Sequence, residues 1–308
     1  MNTRLLAAAD GSADSVGALR TAGWLTSREA DDVAVLTVLE QVGMFDITFS
    51  PPLPVLREDL QCRQEEALRG VVLDQLRALA SPIPNKAVLV ESGPPAATIV
   101  RTAHRMGASL IVPGIGRHAR LDRLSGREVA LEVARLAHVP VLAVPRDITA
   151  LPSRVLVGVD FSSFARATLR ALPDVIAPGA EVHLAHVIQL PRDEPDISPR
   201  LYASHAPKVR RAMEDLAMEL FIAHGIPSVV HVLKGHPARS LLQLAKQLDA
   251  DLVSTGSHGH GFWGRLVLGS VSTRVIRAAQ HAVLIVPPST RPVELLDDPV
   301  PAQSPPFS

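Results

Sequence analysis

Short apolar runs rich in Val, Leu and Ala recur along the chain, and patterns of helical period lie between them. In the second half the runs are Val155 to Val159, Val182 to Val187, Val229 to Leu233, Leu252 to Thr255 and Val283 to Val286. They are β-branched or Leu at nearly every position, as strands buried on both faces are. Between them, Ala238, Leu241, Leu242, Ala245 and Leu248 stand three or four apart, the spacing of an apolar helix face. Alternating strand and helix units predict a parallel, doubly wound sheet with ligand sites at the C-terminal ends of its strands.

The pattern occurs twice. Gly114 to Pro145 aligns without a gap on Gly256 to Pro287, and Gly93-Pro94-Pro95-Ala96 on Gly235-His236-Pro237-Ala238. Leu5 to Ser12 aligns on Val155 to Ser162. A repeat of this length is a duplicated domain, not a solenoid. The expected organisation is a domain over 1–146, a second over 154–288 and a Pro/Ser-rich tail over 289–308 without fixed structure. Two long proline-containing connections, Gln41 to Val55 and Gln189 to Pro207, each follow a second strand. They are expected to rim the ligand end of the sheet as loops, the latter as the moving part.

Composition narrows the function. Formal net charge is zero and aromatics are 3%, which disfavours a nucleic-acid binder. The single cysteine, Cys62, excludes an intrachain disulfide and a thiolate cluster; its charged helical surroundings predict a surface or half-buried thiol. No apolar run is long enough to span a bilayer and no signal peptide is evident, so the expectation is a cytoplasmic protein.

The candidate chemistry lies near the C-terminal end of the second copy. Gly256-Ser257-His258-Gly259 is followed by nine residues and then Gly269-Ser270, between an apolar run and a helical pattern. Glycines at a strand exit and a helix start gather backbone N–H groups around a point that favours an anion. Ser270 either caps the helix or donates to a phosphate oxygen. Asp160, closing the first strand of this copy, either accepts from a ribose hydroxyl, holds a metal-bound water, or is a helix N-terminal acid with Ser162 as the cap. Arg265 either neutralises phosphate or is a solvated arginine.

Several other signals carry little weight. His258-Gly259-His260-Gly261 follows a fourth strand, where adenylyl-transfer histidines do not belong. His258 and His260 lack a third zinc ligand nearby. Gly264 to Ser270 lacks the lysine of a phosphate-binding loop. His183 and His186 point to opposite faces of a strand.

The glycine frame, the Val271-Ser272-Thr273-Arg274-Val275 helix start and the closing Ala282 to Pro287 resemble the universal stress protein family, and the duplication resembles its tandem members. The resemblance covers nearly all of Met1 to Pro287 and implies two Rossmann-like domains, each a five-stranded parallel α/β sheet. It implies ATP held by Gly256, Gly259, Gly269 and Ser270 at the phosphates, Asp160 near the nucleoside and backbone around Val187 at the adenine; whether Mg²⁺ accompanies it stays open, although ATP usually brings that ion. It further implies an internal pseudo-dimer through Val141 to Val144 and Val283 to Val286, and leaves room for a further homodimer of the chain. The expected function is ATP-dependent regulation of a stress response through protein partners still to be identified. The alternatives are a slow ATPase or nucleotidyl transferase, and a nucleotide-independent scaffold.

The first copy departs from the frame. Arg117 stands for Gly259, Arg127 for Gly269 and Glu128 for Ser270. A glycine turn is closed to arginine at little cost, and Glu128 is expected to put negative charge at the phosphate seat. The first copy is therefore expected not to hold nucleotide in this way, with Asp10 as a structural cap. Arg117, Arg120, Arg123 and Arg127 are a solvated helix face or a grip for another anion.

Overall fold

The computed structural model describes residues 4–26, 32–40, 54–116, 126–189, 197–256 and 268–287. The first half runs β1 (Arg4–Ala8), α1 (Val16–Thr26), β2 (Asp32–Leu39), α2 (Pro54–Ala78), β3 (Val88–Ser92), α3 (Pro95–Arg105), β4 (Leu110–Ile115), α4 (Gly126–Leu136) and β5 (Val141–Pro145). The second half repeats it as β6 (Arg154–Gly158), α5 (Ser163–Ala171), β7 (Glu181–Ile188), α6 (Ile197–His224), β8 (Ser228–Lys234), α7 (Pro237–Gln247), β9 (Leu252–Gly256), α8 (Ser270–Ala278) and β10 (Ala282–Val286). The apolar runs predicted as strands are strands, within a residue of the expected bounds.

All ten strands form one sheet in the order β3-β2-β1-β4-β5-β10-β9-β6-β7-β8. Every neighbouring pair is parallel except β5 and β10 at the centre, which run antiparallel with Leu284 opposite Leu142 and Ile285 opposite Val141. This is the internal pseudo-dimer. Side chains alternate across the sheet, so each face collects one layer of core. Leu5, Ala7, Leu142, Val144, Leu284 and Val286 join one layer; Leu6, Val141, Ala143, Val283 and Ile285 join the other. Both layers therefore run through both halves without a break.

The halves are also pinned at the linker. The Asp251 carboxylate accepts from the Ser153 and Arg154 backbone N–H groups, each at 2.9 Å, and from the Ser153 hydroxyl. Arg20 on α1 donates to the Ile148 carbonyl at 2.6 Å. Gly17 lets α1 press onto the end of β5: a Cβ there would stand 2.1 Å from the Pro145 carbonyl oxygen, so any side chain would displace the helix.

One expectation is corrected. Residues 197–207 are not loop but the first turns of α6, which carries Pro207 inside the helix. Proline cannot donate to the carbonyl four residues back, a cost usually sufficient to break a helix. Here polar side chains accompany the interruption. The Ser204 hydroxyl and His205 Nδ1 both donate to the Leu201 carbonyl, at 2.9 Å each. The connection Gln41 to Val55 lies outside the described residues up to Pro54, where α2 begins, and the tail after Pro287 lies outside them as well. Cys62 is exposed on α2.

Two half-buried imidazoles, His231 and His281, tie stability to pH. His183 Nε2 stands 3.2 Å from Glu181 and its Nδ1 3.0 Å from His231 Nε2. The proton arrangement that satisfies all three has His231 donating to His183 and His183 donating to the carboxylate. Burial, then His183, then Arg210 push the His231 pKa down; burial does the same at His281. The unfolded chain thus binds protons that the folded state refuses. Stability is full above an unfolded imidazole pKa of about 6.5 and declines as pH falls below it. Urea unfolding at stepped pH is expected to show that decline, and His231→Gln is expected to flatten it.

Because the core is continuous across β5 and β10, the chain is expected to unfold in one calorimetric transition. Leu284→Ala is expected to lower its stability by about 2–5 kcal/mol without splitting that transition.

Candidate functional site

The C-terminal ends of β6, β7 and β9 lie side by side, because β6 pairs with both of its neighbours. The strand order turns outward in both directions from β6 and β9, the kind of crevice in which open α/β sheets bind ligands. Asp160, Val187, Gly256, Gly269 and Ser270 all lie at this end. Gly259 and Arg265 lie outside the described residues.

Gly256 is the last residue of β9. Its carbonyl accepts from the Ser272 hydroxyl at 2.7 Å, and Ser272 in turn accepts from the Thr255 hydroxyl at 3.1 Å. Ser272 is buried, so this latch fixes the strand exit against the first turn of α8. The first half has Ala130 and Pro113 at the aligned positions and lacks the latch. Gly269 is the N-cap of α8 and makes no side-chain cap. Ser270 is the first helical residue and exposed; it does not cap the helix. Among the described residues no side chain takes the orphan N–H groups of this helix start, where the helix dipole favours an anion by about 0.3–1 kcal/mol.

Asp160 holds an Asx turn. The Ser162 backbone N–H donates to its Oδ1 at 2.9 Å and the Ser162 hydroxyl at 2.5 Å. Ser162 is the N-cap position of α5, but its hydroxyl is spent on Asp160 and caps nothing. Asp160 Oδ2 takes no hydrogen bond among the described residues. Asp10 does the same in the first half, accepting from Ser12 N–H at 2.9 Å.

The Val187 backbone turns toward the crevice. Ala185 O accepts from Val159 on the β6 side, whereas Ile188 O accepts from Gly235 on the β8 side. Carbonyls alternate along a parallel strand, so Val187 O points to the β6 side, beyond the last β6 pairing. Its side chain is buried.

Phe161 at this end escaped the sequence reading, and His186 enters that reading only as a partner of His183. Phe161 follows Asp160 at φ 59°, a conformation that costs a non-glycine residue energy. Its ring lies 4.8 Å from that of His186, whose Nδ1 donates to the Val159 carbonyl at 2.7 Å. The alignment held the signal: the first copy has Gly11 at φ 75° in place of Phe161.

The first half holds a cavity of about 840 Å³ at the matching crevice. It opens between the β1 exit (Ala9 to Ser15), the β2 end (Val38 to Glu40), α2 (Gln64, Ala67, Leu68 and Val71) and the β4 exit at Gly114 and Gly116. Glu128 is not among its lining residues. Its carboxylate lies 3.6 Å from the Arg277 guanidinium of α8, turned toward the other half. The expectation that Glu128 fills the phosphate seat with charge is therefore corrected: an ion pair between the halves draws it away. Arg117, Arg120 and Arg123 lie outside the described residues, as does the side chain of Arg127.

None of the described helices is long and apolar enough to cross a membrane.

The sequence profile of the Universal stress protein family matches the chain twice, over residues 1–145 and 152–287. A universal stress protein of Mycolicibacterium smegmatis is 28% identical over 297 residues, spanning 92% of this chain and 97% of that protein. Universal stress protein Rv2005c of Mycobacterium tuberculosis is 28% identical over 293 residues, spanning 90% of this chain and 94% of its own. Among solved structures, a universal stress protein from Archaeoglobus fulgidus matches in fold with a TM-score of 0.65 at 23% identity, covering 93% of this chain and 99% of that one.

Ser272→Ala removes the donor to Gly256 from a buried site. It is expected to cost about 1–3 kcal/mol in urea unfolding, whereas Ala130→Ser in the first half, where no such latch exists, is expected to gain nothing.

Proposed function

The chain belongs to the universal stress protein family, and from that premise we propose that it is a stress-response regulator that holds ATP in its second half only. The observation that carries the proposal is the uncapped start of α8 at Gly269-Ser270, set beside a latched Gly256 at the exit of β9. An anion there meets unpaired N–H groups and the positive end of a helix dipole. The groups present suit the rest of a nucleotide. Asp160 Oδ2 is an acceptor for ribose hydroxyls, the Val187 carbonyl is an acceptor for an exocyclic amine, and Arg265 supplies countercharge in sequence. Mg²⁺ would arrive on the ATP phosphates, as hard oxygen-seeking cations do.

The reading is of a binding protein, not a catalyst. Occupancy of the crevice would be passed to partner proteins through the elements at this end of the sheet, the start of α6 included. The first half lacks both the glycine frame and the Ser272 latch, which favours one nucleotide per chain over two.

Calorimetric titration of Mg-ATP into ligand-free protein tests this. One site per chain is expected, lost in Gly259→Arg, with phosphate release no faster in the parent protein than in that variant. Absence of binding to the parent protein would leave the glycine frame as a turn only. Release above the Gly259→Arg background would make the protein an ATPase.

A further inference from the structure

The 840 Å³ cavity of the first half has the size of a small-ligand pocket, and its chemistry differs from that of the second-half crevice. Its walls are mainly apolar, with Leu36, Val38, Leu68 and Ile99 among them. Three carboxylates line it, Asp10, Asp14 and Glu40, against one cationic residue among the described lining, Arg146. Only Asp10 has an acidic counterpart in the second copy. Asp14 aligns with Phe164 and Glu40 with Gln189. Gly11 aligns with Phe161; a Cβ at Gly11 would stand 2.9 Å from Val71 Cγ1, so α2 closes in beside this turn where the second half carries an aromatic residue.

Two of these acids are therefore particular to the half that has lost the phosphate frame. Asp14 Oδ1 is buried and has no hydrogen-bond partner among the described residues. The nearby start of α1 offsets part of that charge. The remainder acts through a low-dielectric wall, where a cation seated in the cavity is felt more strongly than in water. Apolar walls with carboxylates at one end match an apolar body carrying an ammonium group.

We propose that the first-half cavity is the seat of an organic cation, a primary amine on an apolar or aromatic body, and that the two halves accept ligands of opposite charge. The inference stands apart from the nucleotide reading, since it concerns other residues and another half of the sheet.

Three ligands with one indole body and different charge test it: tryptamine, tryptophol and indole-3-acetate, each titrated by calorimetry into the full chain. Tryptamine is expected to bind at one site per chain, at least about tenfold more tightly than either of the others, the scale of one charge-assisted contact. Added salt is expected to weaken it. Asp14→Asn and Glu40→Gln are each expected to weaken tryptamine binding several-fold. Ala67→Trp, at an exposed position on the cavity wall, is expected to abolish it. Mg-ATP titration of the same variants is expected to match the parent protein. The proposal is overturned if tryptamine fails to bind at millimolar concentration or if tryptophol or indole-3-acetate binds as well. It is equally overturned if affinity survives the loss of both acids. The ligand series and the salt dependence use the parent protein, so the outcome does not depend on any variant folding.

Discussion

The antiparallel pairing of β5 with β10 is the contact on which the rest of this molecule depends. Leu142, Val144, Leu284 and Val286 feed one hydrophobic layer and Val141, Ala143, Val283 and Ile285 the other. All eight are buried. A five-stranded sheet cut at this edge would expose a flat row of β-branched residues and unpaired backbone groups, a template for aggregation. Joining two copies edge to edge covers that row, and tandem fusion makes the partner permanent. The cost is that the two halves become one thermodynamic unit.

That unity explains how a duplicated chain can let its copies diverge. The sheet centre and both core layers constrain the strands, whereas the strand exits lie outside those layers, and the copies differ there. Gly256 is latched by Ser272 in one half, and Ala130 leaves Gly114 without that latch in the other. Phe161 holds at φ 59° the backbone position that Gly11 holds at φ 75°, where a Cβ would meet Val71 of α2 at 2.9 Å. Glu128, standing where Ser270 opens α8, pairs with Arg277 across the halves. Glu at this position thereby adds a contact between the copies, though an exposed one worth at most about 1 kcal/mol.

The same logic bears on the helices over the α1–α2 face and its second-half equivalent. Both α2 and α6 are long, and neither is uniformly amphipathic. α6 carries Pro207 within its length, with Ser204 and His205 on the Leu201 carbonyl. These helices begin at the C-terminal end of the strands and finish at the far end of the sheet.

The duplication, the alternation of strand and helix and the location of the glycine frame were legible in the sequence alone, because each depends on local periodicity and on residue types with narrow conformational roles. Five apolar runs per copy became five strands. The central pairing, implied by the family resemblance, became β5 against β10. Asp160, Val187, Gly256, Gly269 and Ser270 came together at one end of the sheet because parallel strands place all their C-terminal ends there. What the sequence left open was settled by contacts between residues far apart. Pro207 reads as a loop signal, but burial of Met213, Leu216 and Leu220 of α6 in the core outweighs a single missing hydrogen bond. Glu128 reads as a charge in a pocket, yet a partner from the other half, 149 residues further on, turns it away. The cavity of the first half has no local signature, since its walls come from four separate elements. Its acids acquire meaning only once the fold encloses them in one space, where low dielectric makes their charge count.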